Sequence, residues 1–500
     1  MSKTETQHAE YSDGVTLYDL LTVARDDGLV GEEEPALTVA SAMIKGGGVA
    51  LVGPSRVGKT FLVKRMSSAI PDADIYEMST TLSPTALYYN ADEINDCRIH
   101  IYHDLTTLPE HIEGVLKANA EGMPASREVT DVSSGDTVTM TIHPPDCIIV
   151  CAANDNENFD WNDFPEVRNR FLFVDNDASQ EQTEAILDRQ AKQLSGLDKN
   201  QLTEDRVDEI KSYVGSIPVA RYAHDYSIGE ILNIPGGVPL REQDPLPTQF
   251  TEARDDYMRL NKFIESVSLI HYQDRMEIVH TGSPTLLVSP SDVWLGMKVF
   301  GEQMIMSALC LKEIDQVILE FLRDEQAAFT VSKIQAKIRA DGYSATDRDV
   351  QSALKNMKNK AYVDVNQAEA PNTWYATPFA QIIEHPAAID YSELVNRTED
   401  LVKEVLPSGE AEEYIYKHCR GEGLLVTHPF TGETINIVED TSFEEVLEET
   451  HEEMGSMMDE PFYGDGSNES DSEKVADDTP TEEKEHATVG GAESGQGTLR

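Results

Sequence analysis

Eight consecutive residues, 53–60, have the types and spacing needed to hold a phosphate chain. Their sequence, Gly-Pro-Ser-Arg-Val-Gly-Lys-Thr, fits the P-loop pattern G-x-x-x-x-G-K-[ST]. The two glycines let the backbone turn its N–H groups inward, and the start of a following helix adds partial positive charge. The lysine of this pattern reaches the β- and γ-phosphates, and the last hydroxyl holds Mg²⁺. The predicted site for ATP and Mg²⁺ consists of Gly53, Pro54, Ser55, Arg56, Val57, Gly58, Lys59 and Thr60.

The segments on either side of this loop have the pattern that the loop requires. Residues 49–52 are a short apolar run that predicts a strand, and residues 61–66 begin an amphipathic helix. A strand, a glycine-rich loop and a helix in this order support the nucleotide site. Upstream, the apolar spacing predicts two short helices within residues 16–45.

Two polar residues follow predicted strands further along the chain. Residues 98–104 predict a strand that ends at Asp104, which could hold Mg²⁺ through water or orient the attacking water. The alternative is that Asp104 caps a turn. Residues 147–153 predict a buried strand that is followed by Asn154, which could contact a γ-phosphate or its water. Asp104 and Asn154 are therefore candidate catalytic residues, and Asp104 is also a candidate metal ligand.

A β-hairpin and a pair of arginines complete this region. Residues 127–142 contain two alternating runs on either side of Ser134 and Gly135, which predicts a hairpin. Residues 110–120 have a helical pattern, and residues 73–78 predict a further strand. Arg168 and Arg170 come just before another predicted strand. Their alternative role is to form salt bridges with the many nearby acids.

Taken in order, these features resemble the AAA+ ATPases. The chain is more narrowly similar to the clade with a hairpin before sensor 1, which includes the minichromosome-maintenance replicative helicases. The resemblance covers roughly residues 16–310 and implies that Asn154 is sensor 1. It implies that Arg170 is an arginine finger acting on a neighbouring subunit of a hexameric ring, and that Arg259 is the sensor-2 residue. Residues 259–275 also resemble helicases encoded by mobile elements.

The chain departs from that family in two places. The family has an Asp-Glu pair at the end of the third strand, where this chain has His103 and Asp104. The hairpin tip, residues 133–136, contains no lysine, whereas the helicases push a lysine along DNA at this position. Both departures favour a member of the clade that is not a motor.

A separate nucleic-acid element is predicted after residue 312. Three helical runs are followed by two short strands, residues 361–365 and 373–376, which look like a winged helix-turn-helix. The minichromosome-maintenance helicases also have such a domain at their C-terminus. Protein contact is the alternative use of this fold. The third helix carries the cations that we expect to contact DNA phosphates: Arg348, Lys355, Lys358 and Lys360.

The composition is strongly acidic. The chain of 500 residues has 91 acids against 40 lysines and arginines, for a formal net charge of −51. The acidity is spread over every segment, which favours the salt-rich cytoplasm of a halophile over a surface that merely repels nucleic acid. At molar salt the Debye length falls to about 3 Å, so the net charge does not exclude DNA as a partner.

Cysteine usage and hydropathy bound the cellular compartment. The five cysteines have no metal-ligand spacing, which favours reduced, buried thiols in a cytoplasmic protein. No apolar run reaches the length of about 18 residues that a membrane span needs. We therefore expect no membrane partner.

These patterns predict an α/β fold: an AAA+ P-loop core with a parallel sheet, a helical lid, a C-terminal winged helix-turn-helix and a disordered acidic tail. The expected domains are a disordered N-terminus (1–15), the nucleotide-binding core (16–190), the lid (191–311), the winged helix (312–379), a small domain of unknown role (380–440) and the tail (441–500).

Three functions fit these observations. The first is an ATP-driven, ring-forming DNA helicase or translocase that replicates a plasmid, virus or integrated element, with a primase or another replication protein as partner. The second is a non-motor loader, remodeller or DNA-bound switch that uses ATP to change its assembly. The third is an inactive scaffold that binds nucleotide and DNA. Strand displacement separates the first from the others, and ATP hydrolysis separates the second from the third.

Overall fold

Strands and helices alternate along the N-terminal half of the chain. The computed structural model describes residues 14–78, 86–103, 110–130, 136–153, 170–223, 227–246, 253–309, 311, 313–340, 343, 345–366, 371–377 and 389–439. Asp104, Asn154 and Arg168 lie outside these ranges, as do hairpin residues 131–135 and the tail from residue 440 onward. The strands of this half are β1 (Gly47–Gly53), β2 (Ile75–Met78), β3 (Ile99–Tyr102), β4 (Ala125–Thr130), β5 (Thr137–Ile142), β6 (Cys147–Ala153) and β7 (Leu172–Asp175).

Five of these strands form a parallel sheet in the order β2-β3-β6-β1-β7. β1 lies inside it, and its apolar sequence reflects burial on both faces. Val49 and Leu51 face one hydrophobic cluster, whereas Ala50 and Val52 face another, as the two-residue period of a strand requires. β4 and β5 stand apart as an antiparallel hairpin, in which Ala125 is opposite Ile142.

Helices cover both faces of the sheet. One face packs against α1, α2 and α3, and the other against α4, α5 and α6. Thr16 and Asp19 form a capping box at the start of the first helix, where each side chain accepts a hydrogen bond from the other's backbone N–H. These helices are α1 (Leu17–Asp26), α2 (Glu33–Lys45), α3 (Lys59–Ser67), α4 (Ala86–Tyr89), α5 (Ala91–Asn95) and α6 (Glu110–Ala120).

The region after β7 combines helices with a second sheet. Its strands are ordered β8-β10-β9, where β8 is Glu230–Leu232, β9 is Glu277–His280 and β10 is Ser283–Leu287. The sequence predicts lid helices over residues 250–280 and 290–311. The first of these predictions is wrong beyond Ile270, where the helix ends. Thr281 and Gly282 form a two-residue turn with φ values of 51° and 92°, which joins β9 to β10. The helices are α7 (Gln180–Leu194), α8 (Glu204–Ser216), α9 (Val219–Tyr222), α10 (Val238–Glu242), α11 (Ala253–Ile270) and α12 (Pro290–Leu309).

Two long helices, α11 and α12, form the centre of this second region. The rings of Phe263 and Phe300 stack with their centroids 4.5 Å apart. The helices come close at Gly296, where a Cβ atom would lie 2.5 Å from Ile264. Trp294 and Phe300 are fully buried and belong to the core. Among the described residues, no helix is long and apolar enough to cross a membrane.

Three helices and a three-stranded antiparallel sheet follow. The sheet order is β11-β13-β12, and the two-residue β11 is a strand that the sequence did not predict. Thr346 begins the third helix with a capping box to Asp349. The elements are α13 (Glu313–Asp324), β11 (Phe329–Thr330), α14 (Val331–Ala340), α15 (Asp347–Asn359), β12 (Val363–Asn366) and β13 (Thr373–Ala376).

The last described segment packs against the preceding regions. Tyr414 donates a hydrogen bond from its hydroxyl to the carbonyl of Val288 at 2.6 Å. Arg25 of α1 donates to the carbonyl of Phe430 at 2.8 Å. The described part of residues 380–440 therefore shares the main hydrophobic cluster. Its elements are α16 (Tyr391–Val405), α17 (Ser408–His418), β14 (Leu425–Thr427) and β15 (Thr434–Asn436).

Candidate functional site

The P-loop connects the end of β1 to the first turn of α3. Gly53 and Gly58 have φ values of 152° and 107°, a region that favours glycine because it has no Cβ atom. Arg56, between them, also has a positive φ of 72°. The chain therefore leaves the sheet through a tight turn and enters the helix directly at Lys59.

Lys59 lies against the loop that precedes it. Its Nζ atom donates hydrogen bonds to the carbonyls of Gly53, at 2.8 Å, and Pro54, at 2.7 Å. The residue is only 8% exposed. A buried ammonium group needs such acceptors, and phosphate oxygens are stronger acceptors than carbonyls. The loop thus holds a positive charge where the P-loop pattern requires one, and its residues fit a nucleotide.

Thr60 links the P-loop to the end of β3. Its hydroxyl donates a hydrogen bond to the backbone carbonyl of His103 at 3.1 Å. On its other side the His103 ring is close to β2, where its Nε2 lies 3.1 Å from a carboxylate oxygen of Glu77. Thr60, the expected Mg²⁺ ligand, therefore lies beside His103, which immediately precedes Asp104 in the sequence.

The strand register brings the P-loop and the end of β6 to one edge of the sheet. Gly53 is the register partner of Ala153, the residue before Asn154. We call this edge, where the parallel strands have their carboxyl ends, the carboxyl edge. Ligands of open parallel sheets bind along such an edge. The catalytic roles of Asp104 and Asn154 stay predictions.

Arg170 lies at the opposite edge, which we call the amino edge. A Cβ atom added to Gly48, near the start of β1, would be 2.9 Å from the carbonyl oxygen of Arg170. Gly48 and Gly53 are five residues apart, which is about 16 Å along a strand. The Arg170 guanidinium donates a hydrogen bond to the carboxylate of Glu121, which follows α6. The structure therefore does not bring Arg170 to the P-loop of its own chain.

Arg259 is held on the second region. Its Nη1 atom lies 2.6 Å from Oδ1 of Asp256, one helical turn earlier in α11. Asp256 is almost fully buried, and burial raises the pKa of its carboxyl, although the Arg259 guanidinium opposes this shift. This ion pair fixes one side of Arg259. The sensor-2 role of Arg259 stays a prediction.

The four candidate DNA-binding cations have different surroundings. Arg348 and Lys355 are exposed, seven residues apart on α15. Lys358 is exposed but forms an ion pair with Asp364 at 2.6 Å, and Lys360 is partly buried. The opposite side of the helix is buried through Val350, Ala353, Leu354 and Met357.

Sequence reasoning gave no role to the loop between α1 and α2, although it borders the P-loop region. Glu32 accepts a hydrogen bond from the backbone N–H of Asp177 at 2.9 Å. The preceding residue, Asn176, comes within 4 Å of a Cβ atom built at Gly53. The available signal was the pair Gly28 and Gly31, whose φ values of 111° and 60° mark two tight turns. Glu121 was also missed, since nothing in its local sequence indicates Arg170 as its partner.

Comparison with known proteins agrees with this geometry. A family model described as "MTBMA_p00010 P-loop domain" matches residues 32–212, which include all seven strands of the first half. Residues 32–212 therefore form a P-loop domain, and the five-stranded parallel sheet fits an AAA+ core.

Among solved structures, the chain is similar to a "putative ATPase" from Cytophaga hutchinsonii, at 13% identity and a TM-score of 0.33. The match covers 61% of this chain and 89% of that one. A likeness this weak says nothing about function. A search of curated proteins gave no match.

Proposed function

We propose that the protein is an ATP-hydrolysing, ring-forming motor that unwinds or translocates along DNA during replication. The observation that carries this proposal is the separation of Arg170 from its own P-loop by the length of β1, about 16 Å. An arginine at the amino edge of one subunit can meet a nucleotide at the carboxyl edge of the next. Such head-to-tail contacts close into rings, and a hexamer is the form we expect.

Each candidate residue has a defined task in this proposal. Bound ATP and Mg²⁺ supply the γ-phosphoryl group and the neutralising charge for its transfer. Lys59 holds the terminal phosphates, and the Thr60 hydroxyl holds the metal ion. Asp104 orients the attacking water, and Asn154 senses the γ-phosphate. Arg170 of the neighbouring subunit stabilises the charge that develops on the transferred group, with Arg259 on the lid as a further contact.

DNA contact is assigned to residues 313–377. We interpret their three helices and small sheet as a winged helix-turn-helix in which α15 faces the duplex. The exposed charges of Arg348 and Lys355 support this interpretation, because phosphate contacts dominate the affinity for DNA. Lys358 could join them by exchanging Asp364 for a phosphate.

A non-motor switch or loader from the same clade is the second candidate. His103 replaces an acid at the strand end, and its ring faces Glu77 at 3.1 Å. A hairpin tip without lysine also favours this alternative. Such a protein would hydrolyse ATP to change its assembly while bound to DNA. An inactive scaffold is the third candidate.

The test is the ATPase rate in multimolar KCl, with and without single- and double-stranded DNA. Wild type is compared with Arg170→Ala and with a surface control, Arg420→Ala, whose native side chain is 65% exposed. Turnover that rises with DNA and is lost only in Arg170→Ala supports the motor, and a strand-displacement assay follows. An ATPase rate that does not change when DNA is added favours the switch. No turnover in wild type favours the scaffold.

A further inference from the structure

The guanidinium of Arg170 is held by a residue from another element. Its Nη2 atom donates a hydrogen bond to the carboxylate of Glu121. The two residues are 49 positions apart in the sequence, so the fold alone brings them together. We propose that Glu121 is a positioning residue, which aims Arg170 at the nucleotide of the neighbouring subunit. This inference rests on the proposed function.

Both backbones are anchored, although both side chains reach solvent. The N–H of Glu121 is shared between the carbonyls of Lys117 and Ala118, at 3.2 and 3.1 Å, which extends α6 by one bond. Arg170 is followed by Phe171, which is 2% exposed, and then by β7. The side chains of Arg170 and Glu121 are 26% and 27% exposed. An anchored pair at the surface can present a charge to another molecule.

A carboxylate contact limits the freedom of an arginine without using all of its donors. Within the described part of the chain, Nη2 is the guanidinium nitrogen of Arg170 that donates a hydrogen bond. The rest of the planar fork is therefore left for a second acceptor, such as a phosphate oxygen. An unrestrained arginine side chain must lose the entropy of its many rotamers when it binds a phosphate, and this loss is a cost. Fixing the side chain before the reaction removes part of that cost. It also holds the guanidinium in place, and small errors in position reduce rates by up to about 100-fold.

The opposite role would be capture, in which Glu121 keeps Arg170 away from the neighbouring nucleotide. The two roles predict opposite changes in the ATPase rate. If Glu121 positions Arg170, removing the carboxylate lowers the ATPase rate. If Glu121 captures Arg170, removing it raises the rate. We expect the rate to fall.

The test uses mixed rings, made by co-expressing two full-length variants with different tags. A Lys59→Ala subunit lacks a working P-loop but offers Arg170, whereas an Arg170→Ala subunit has the P-loop but no arginine. We expect each to be inactive alone, and we expect the mixture to regain ATPase activity where the two meet. Glu121→Ala is then added to one subunit or the other.

On the Lys59→Ala subunit, Glu121→Ala should lower the regained activity at least about tenfold, because it acts on the arginine that is used. On the Arg170→Ala subunit it should change nothing. Glu121→Gln on the Lys59→Ala subunit should lose less, because the amide oxygen still accepts a hydrogen bond. Glu128→Ala, at an exposed position of β4, is the matched control and should have no effect on either subunit.

Several outcomes would overturn the inference. An equal loss from either subunit would mean a structural role for Glu121, and no loss or a gain would exclude positioning. Light scattering must show that the mixed rings keep their mass, because a loss that follows disassembly also contradicts the inference. If the mixture without Glu121→Ala stays inactive while wild type turns over, Arg170 does not act between subunits. The proposed function then fails, and the inference falls with it.

Discussion

Thr60 and His103 are joined by a hydrogen bond of 3.1 Å from the Thr60 hydroxyl to the His103 carbonyl. The bond spans 43 positions of sequence and links the first turn of α3 to the end of β3. β6 lies between β3 and β1 in the sheet, so this contact crosses the end of β6. It places the hydroxyl that P-loops use for Mg²⁺ at the edge of the sheet where the strands end.

Replacing Lys59 with Ala should abolish ATP turnover and leave the fold intact. The ammonium group that the carbonyls of Gly53 and Pro54 hold is lost, so the terminal phosphates have no charge partner. ATPase rate and the far-UV circular dichroism spectrum measure the two effects. Lys64→Ala, at an exposed position of the same helix, is the control and should keep full activity. Turnover that survived in Lys59→Ala would refute the assignment of the nucleotide site.

Replacing Asp292 with Asn should destabilise the protein by about 3–5 kcal/mol, because it leaves a buried arginine without its counter-ion. Asp292 is fully buried, and both of its oxygens accept hydrogen bonds from Arg275, at 2.6 and 2.8 Å. Thermal unfolding of wild type and variant at pH 7 measures the difference. Glu242→Gln, which removes the exposed pair with Arg397, should change stability far less, because water screens an exposed ion pair.

Because of the same ion pair, we expect the fold to lose stability in acid. Burial alone would raise the pKa of the Asp292 carboxyl, but the Arg275 guanidinium overcomes this and holds that pKa far below its usual value. The ion pair therefore stabilises the fold above the unfolded pKa of about 3.9, and its contribution is lost as the pH falls below that value. The difference between wild type and Asp292→Asn should shrink below about pH 4. A difference that stayed constant down to pH 2 would contradict this.

The carboxyl of Glu34 should have the opposite effect, making the fold less stable as the pH rises towards neutrality. Burial, reinforced by the carboxylates of Glu302 and Glu33, raises the pKa of Glu34 from 4.5 to about 7. The folded state therefore binds a proton that the unfolded state has released, and stability falls as the pH rises between these values. At pH 8, Glu34→Gln should be more stable than wild type by up to about 3 kcal/mol.

Melting temperatures between pH 4 and pH 8 measure this effect. The advantage of Glu34→Gln should disappear near pH 4, where the glutamic acid is protonated in both states. Glu404→Gln, at an exposed position of α16, is the control and should follow wild type throughout. An advantage that did not change with pH would mean that ionisation of Glu34 is not its cause.

Replacing Arg348 and Lys355 together with Ala should weaken DNA binding without changing the ATPase rate in the absence of DNA. Each phosphate contact that is lost should lower the slope of log K against log[KCl] by about one. DNA affinity measured at several KCl concentrations gives this slope. Lys403→Ala, whose native side chain is 54% exposed on α16, should keep the wild-type slope. Equal slopes for wild type, the double variant and Lys403→Ala would show that α15 does not contact DNA.

The sequence by itself determined the local elements of the first half. β6 and α6 occupy the residues that were predicted, 147–153 and 110–120. A buried parallel strand is a continuous apolar run, and a helix has a period of 3.6 residues, so both can be recognised locally. The P-loop was also fixed by sequence, because its glycines and Lys59 act within eight residues.

Four short strands were not predicted in this way, although β12 and β13, of four residues each, were. β8, β9 and β10 have only three to five residues each, and β11 has two. The pattern of a window this short is a weak signal, because a few alternating residues often occur by chance. Thr281 and Gly282 were the signal for the turn between β9 and β10, and the longer helical pattern around them obscured it.

Only the tertiary structure decided where Arg170 lies relative to the P-loop. The strand order puts β7 beside β1, and the parallel register then places Arg170 at the amino edge and Gly53 at the carboxyl edge. Its contact with Glu121 joins two elements 49 residues apart. Local patterns encode the period of an element, but the order and direction of strands depend on how the whole chain packs. The sequence therefore specified the nucleotide loop, and packing specified which charges can reach it.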